Sequence, residues 1–461
     1  MIKWVETEYP DYYQESVVEL TDEQKADRKR YYTSTHDFLY GNLNVNVTKA
    51  FLATKKYHKN KLTRDGKPVH YSFSHLRKFY DAILFGSYRA RVPLPIEFEM
   101  EMKAYIDSMK KEKTQAKKRG ETDEREADPI SFELYRLLCK YAIEVGNTFV
   151  WAFTVLQWSC MARSVSIDDL TFGQLSLGSD SLIVEYCDSK ADQSGERTSP
   201  KNCYANPFDV NVCIFAALGC YFCINDESWS SQKDTIFRNR GSSQGTASHR
   251  YCNAIQAMYK EHQATIEEYI RAGHFNAHGT RKGAAICATS GTTMPASLAA
   301  IANRGEWTVS MMFEIYLGFA EPGDHYLGRL LTGLDPNKAS FAAIPPHFTC
   351  GMENEDVKEA MELCFTGIID QLSNPFVEGE EVVDASAPPI SSRAARSKRR
   401  ERNATVSSLR SNTKALLLRC LASMVHHADA LIGVIKEKDG AHPFAMIPIF
   451  NRPALLARLK V

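Results

Sequence analysis

The sequence predicts a mainly helical protein with a small antiparallel β-sheet, an α+β chain of more than one domain. Apolar stripes at helical spacing recur along most of its length, and one segment reads as strand, polar turn and return strand. A charged run with almost no apolar residue, Lys110 to Pro129, interrupts the pattern and reads as an exposed linker. At 461 residues there is room for two or three domains with a full core.

Residues 1–33 form an acidic, aromatic tail that ends near the basic D-R-K-R-Y-Y and is expected to be ordered only in part. Residues 34–112 read as a helical domain. Within it, Ser74 to Phe85 carries Leu76, Phe79, Tyr80, Ile83 and Leu84 on one stripe, leaving Arg77 and Lys78 on the other face. A second helix is expected around Ile96 to Lys111. Lys55, Lys56, Lys59, Lys61, Arg77 and Lys78, interleaved with Tyr57, Tyr71, Phe73 and Tyr80, supply the density of cation that neutralises phosphates. A solvated basic face over core aromatics is the plainer alternative.

The linker proper is placed at 113–127 and a second domain at 128–350. Asp128 or Ser131 can cap its first helix, with Pro129 in the opening turn. Phe149, Trp151, Phe153, Leu156 and Trp158 mark a heavily buried stretch ending near Met161. Arg163 follows at once. A cation at the end of a buried helix is costly unless an anion meets it, so Arg163 is a candidate site residue, with a salt bridge to Asp168 or Asp169 as the alternative. Leu182 to Cys187 and Arg197 to Tyr204 read as paired strands, with Lys190 near the tip. An apolar helix at Val210 to Ile224, an irregular loop at Asn225 to Ser248 with little core of its own, and a helix from about His249 to Arg271 lead to H-G-T-R-K-G. There His278 and Arg281, three apart on one helix face, can converge on one phosphate.

Residues 351–411 are read as a linker region, acidic and then basic. Its R-A-A-R-S-K-R-R-E-R is open to three readings: nuclear-import signal, DNA-backbone tether or solvated linker. Residues 412–461 form a helical packing or oligomerisation segment, with Leu417, Leu421, Met424, Ala428, Leu431 and Ile435 on a seam expected to dock on another subunit or on the preceding domain.

Several function classes recede on composition. The formal charge is zero, so nucleic-acid binding must come from local patches. Twelve cysteines without framework spacing read as reduced thiols of an intracellular protein, and Cys220 with Cys223 reads as a buried helix face. No apolar stretch approaches the roughly 18 residues of a membrane span, and the N-terminus is broken by charge where a secretory segment would be apolar. The expectation is a soluble protein. P-loops and carboxylate pairs spaced for two metals are missing from the sequence, so neither cofactor nor metal is expected.

With Arg163, Lys190, His278, Arg281, Trp307 and Tyr316 in order, residues 128 to about 348 resemble the catalytic domain of tyrosine recombinases. Within that family they look most like the Crypton-type transposon recombinases of eukaryotes. The phrases carrying the resemblance are K-A-D-Q-S-G-E-R, Y-A-N-P, H-G-T-R-K-G-A-A, R-G-E-W and G-D-H-Y-L-G-R-L-L-T-G-L. It implies a helical core-binding domain and a catalytic domain closing on double-stranded DNA as a C-shaped clamp, with protomers self-associating as a dimer or tetramer synapse in the nucleus. It further implies that Arg163 and Arg281 hold the scissile phosphate, His278 assists proton transfer and Trp307 packs the site. Tyr316, nine residues after Trp307, would form a 3′-phosphotyrosyl link, and Lys190 would protonate the leaving 5′ oxygen. Tyr326 is the rival nucleophile. Where many members carry an acidic residue three positions after the first Arg, this chain has Ser166. The alternatives are a type IB topoisomerase-like enzyme and a domesticated, inactive DNA-binding or scaffold protein.

Overall fold

The computed structural model describes residues 2–10, 44–55, 57–62, 68–71, 73–89, 94, 96–118, 128–185, 200–226, 229, 233–238, 245–270, 275–307, 321–373, 412–438 and 440–459. The chain is mainly helical with small antiparallel sheets, and it divides into two compact units, Met1–Glu126 and Ala127–Val461.

In the first unit, helix α1 (Ile2–Glu8) sets Trp4 against Phe51 of α2 (Val45–Thr54), ring centroids 5.4 Å apart. Asn44 starts α2 because its side chain accepts from the Asn46 and Val47 amides at 2.8 and 3.4 Å. Helix α3 (Phe73–Arg89) buries Leu76, Tyr80 and Ile83, one apolar residue per turn, while Arg77 and Lys78 stay exposed. Phe98, Met102, Ile106 and Met109 form the matching stripe of α4 (Ile96–Lys118).

Two expectations for this unit are corrected. Tyr57–Leu62 (β1) and Pro68–His70 (β2) pair as antiparallel strands where helix was expected, since Y-H-K-N-K-L has no helical apolar stripe. Helix α4 also runs into the segment read as linker. Lys113 is buried there, its ammonium donating to the Tyr71 carbonyl, so its tertiary partner outweighs the charge pattern.

The second unit is built on α5 (Phe132–Glu144), capped by Ser131 accepting from the Leu134 amide at 3.2 Å, and on α6 (Thr148–Ser159), capped by Asn147. Trp158 stacks on Tyr135 at 4.3 Å. After the short α7 (Ser164–Asp168) comes a three-stranded antiparallel sheet: β3 (Leu175–Leu177), β4 (Leu182–Val184) and β5 (Lys201–Cys203), with β4 central and Leu182 opposite both Leu177 and Cys203. The strands are shorter than expected, and β3 was not foreseen. Helix α8 (Ile214–Ile224) is buried on every side down to Cys223, including Cys220. The loop after it contributes Trp229, Ile236 and Phe237 to the core, correcting the expectation of a segment without core of its own. Helices α9 (Ala247–Glu261), α10 (Gln263–Glu267), α11 (His278–Ser290), α12 (Leu298–Arg304) and α13 (Glu321–Leu331) follow.

Helix α14 (Glu355–Ser373) is followed among the described residues by the C-terminal pair α15 (Asn412–His426) and α16 (Ala428–Glu437), bent by 61° at His427. Leu417, Leu421, Met424 and Leu431 are fully buried in this same unit's core, and the close α8–α15 approach is made at Gly219, where a β-carbon would press on Met424. Helix α17 (Pro453–Arg458) closes the chain, with Ile449 and Leu455 buried. No single helix among the described residues is long and apolar enough to cross a membrane. The bent α15–α16 pair has the length and composition, but its apolar faces are core.

The bend gives a pH prediction. The buried His427 ring donates Nε2–H to the Asn206 carbonyl at 3.1 Å. Burial, then the neighbouring His426, lowers its pKa from 6.5 to about 4. Above the unfolded value near 6.5 both states are neutral and stability is whole. Between 6.5 and about 4 the unfolded chain takes up a proton that the folded chain excludes, so stability falls, and below about 4 the loss is complete. Melting temperatures recorded across this window should show the decline, worth roughly a few kcal/mol. His427→Gln should flatten it.

Candidate functional site

Helix α6 ends in a turn that reverses the chain at Met161, whose φ is 49°. The next residues are held by Gln157, a fully buried side chain whose amide donates to Ala162 O (3.4 Å), Ser164 Oγ (3.0 Å) and Ala277 O (3.3 Å). One amide therefore ties the loop carrying Arg163 to the residue before His278.

Helix α11 starts at His278 and presents Arg281 one turn later. Gly279 and Gly283 let residues 128–130 cross this first turn in contact, because a β-carbon at either would overlap the Asp128 or Ile130 carbonyl. The Ile130 amide donates to Gly279 O at 3.1 Å. Arg281 is 4% exposed. Its Nη1 donates to Met161 O at 3.0 Å and its Nη2 to Gly305 O. The indole of Trp307, 43% exposed, lies with its centroid 5.6 Å from the Arg281 guanidinium carbon. His278 is exposed at the surface. Desolvation of its packed part, followed by the charges of Lys282, Arg281 and Arg163, lowers its pKa below the ordinary 6.5. The ring is thus mainly neutral at pH 7, able to take up a proton.

Beneath this layer lies Arg304, 1% exposed, at the end of α12. It donates to Ser159 O (3.0 Å), Asn202 O (2.7 Å) and Asp324 Oδ1 (2.9 Å), joining α6, β5 and α13. Asp324 Oδ2 in turn accepts from the Asn202 amide at 2.7 Å. Two residues beyond Arg304, Glu306 adopts φ 51°. Met161 and Glu306 are the two non-glycine residues with left-handed backbone among the described residues, and both border this site. Glu306 Oε1 accepts from Lys201 Nζ at 2.9 Å, and Oε2 stands 3.7 Å from Arg163 Nη1.

Three residues singled out in the sequence, Arg163, Arg281 and Trp307, thus gather around the Gly305–Glu306–Trp307 turn, and His278 stands one helical turn before Arg281, within the influence of both guanidinium charges. Lys190 and Tyr316 lie outside the described residues. Arg163 does face a carboxylate, that of Glu306; of the two expected alternatives, Asp168 accepts the Ser248 amide at the start of α9. Sequence reasoning missed Gln157, Lys201, Glu306, Arg304 and Asp324. Their signal is faint: R-G-E-W carries Arg304 and Glu306 and G-D-H-Y carries Asp324, but nothing in these phrases tells which member turns inward. Tyr326, the rival nucleophile, donates its hydroxyl to Met294 O at 2.5 Å and packs on Phe341 at 5.2 Å. Among the described residues no group of three or more His, Cys, Asp or Glu side chains is placed to hold a metal ion.

In the first unit, the cations picked for DNA contact are partly engaged. Arg77 pairs with Asp81 at 2.7 Å and stands over Tyr80, and the Lys55 ammonium is 5.2 Å from the Phe51 ring centroid. Lys78 is exposed on α3, Lys59 and Lys61 belong to β1, and Lys56 lies outside the described residues.

Among the described residues, the site sets Arg163, Arg281 and Lys201 around the carboxylate of Glu306, with His278 at the start of the helix that carries Arg281. Such a locus suits an anion whose charge grows during reaction. No protein-family model matches the chain, and no curated protein matches it in sequence.

Proposed function

We propose that the chain is a DNA strand-transferase that works as tyrosine recombinases do, most like the Crypton-type transposon enzymes it resembles. One observation carries the proposal. Arg163 and Arg281, far apart in sequence, meet at one turn, with His278 one helical turn before Arg281. In this reading the two guanidiniums take the non-bridging oxygens of a scissile phosphodiester, whose charge rises from one to two as the phosphorane forms. His278 accepts the proton of the attacking Tyr316 hydroxyl, the phenolate oxygen bonds to phosphorus, and the 5′ oxygen leaves with a proton from Lys190. Lys201 is a poor candidate for that last role, since it is 1% exposed and bonded to Glu306. The engaged hydroxyl of Tyr326 supports Tyr316 as nucleophile. The covalent link conserves the phosphodiester's energy, so rejoining requires no ATP. Basic residues of the first unit would hold the duplex through its backbone, and protomers would assemble on two duplexes.

The test is incubation of the purified chain in EDTA with nicked or gapped duplexes bearing candidate element ends, followed by denaturing gels. An SDS-resistant protein–DNA adduct is expected. Tight DNA binding without adduct on any duplex would favour a scaffold protein. A second enzyme reading gains from one observation: α15 and α16 are buried in their own unit and do not stand off for exchange. A type IB topoisomerase-like enzyme acting alone would relax supercoiled plasmid without recombinant products.

A further inference from the structure

The left-handed backbone of Glu306 turns its carboxylate between β5 and the loop before α7. On one side it is fixed: Oε1 accepts from Lys201 Nζ at 2.9 Å, and this lysine is 1% exposed. On the other it is not. Oε2 and Arg163 Nη1 stand 3.7 Å apart, beyond hydrogen-bond length, and both atoms are buried without a hydrogen-bond partner. A pair kept for stability alone would close, as Arg304 and Asp324 do at 2.9 Å a few residues away. Two desolvated charges facing each other across an open gap lose hydration without gaining the bond. Arg163 is the movable member, with 31% of its side chain exposed, no side-chain capping bond to α7, and one end free to turn outward.

Resting on the strand-transfer reading, we propose that Glu306, braced by Lys201, is a positioning residue that aims Arg163. Its charge draws the guanidinium toward the Gly305–Trp307 turn, where Arg281 is already anchored. The gap leaves Nη1 able to turn to a phosphate oxygen when DNA is seated. This carboxylate comes from a distant segment, in a chain whose own position three after Arg163 is Ser166. Without it, Arg163 faces two cations, Lys201 and Arg281, and swings into solvent.

Two readouts on the full chain test this. In single-turnover reactions, Glu306→Gln should slow covalent adduct formation by about 10- to 100-fold while DNA affinity changes less than about twofold. A purely structural residue would not give that split between rate and binding. Independently of any reaction, phenylglyoxal modification of Arg163, followed by peptide mass spectrometry, should accelerate several-fold in Glu306→Gln. Glu306→Asp, which keeps the charge on a shorter arm, should be intermediate in both. Unchanged Arg163 labelling in Glu306→Gln overturns the aiming role, as does an unchanged adduct rate. If Glu306→Gln fails to fold, equality of Glu306→Asp with wild type in both readouts overturns it as well. Faster labelling in a chain whose wild type forms no adduct overturns the strand-transfer reading and leaves the aiming role standing.

Discussion

Arg281→Ala is expected to lower the rate of covalent adduct formation by about 10²–10³-fold, the effect of removing one preorganised donor from a developing oxyanion. Arg281 is buried, and its two terminal nitrogens are spread between Met161 O and Gly305 O. That fork locks the plane of the guanidinium, and with five donors one side chain can serve both carbonyls and an anion. Arg281→Lys should be nearly as damaging, because an ammonium cannot span two carbonyls and face a phosphate in the same plane. The two stranded carbonyls would also cost about 1–3 kcal/mol each, so rates must be compared at a temperature where the variant's melting curve shows it folded. A Lys variant with wild-type rate would mean that charge alone suffices there and that the fork has no role in the chemistry.

The second large effect concerns stability. Arg304→Met should destabilise the protein by about 3–5 kcal/mol, as expected when one partner of a buried ion pair is removed. Methionine roughly fills the volume, so the loss isolates the charge and its bonds. Asp324 is left buried, still accepting from Asn202 but with no cation, and the Ser159 and Asn202 carbonyls lose a donor. Adding Asp324→Asn should recover part of this loss, since it removes the stranded charge. Urea unfolding of the two single variants and the double variant measures the coupling. A loss below about 1 kcal/mol for Arg304→Met would show that the pair is not the hub joining α6, β5 and α13.

Much of the scaffold was legible because it rests on local rules. Leu76, Tyr80 and Ile83 recur at helical spacing and are buried, Ser131 precedes an apolar run and caps it, and the C-terminal seam of Leu417, Leu421 and Met424 is buried as its period implied. What the seam packs against was not legible, because period says which face is apolar and nothing about the partner. The three-residue strand β3 escaped notice for a related reason: so short a segment has no alternation to read, and pairing with β4 defines it. The site divides along the same line. Arg163, His278, Arg281 and Trp307 stood out by residue type and order. Glu306 and Lys201 did not, since a glutamate beside a tryptophan and a lysine opening a strand are ordinary until a left-handed φ and a buried strand bring them together at 2.9 Å.

The most direct test of strand transfer is to locate the attached residue. Wild type, Tyr316→Phe and Tyr326→Phe would be incubated with the same nicked duplex without divalent metal, and any SDS-resistant adduct digested and mapped by mass spectrometry. The account predicts a nucleotide-bearing peptide containing Tyr316, retained in Tyr326→Phe and lost in Tyr316→Phe. An adduct that persists in Tyr316→Phe would contradict it.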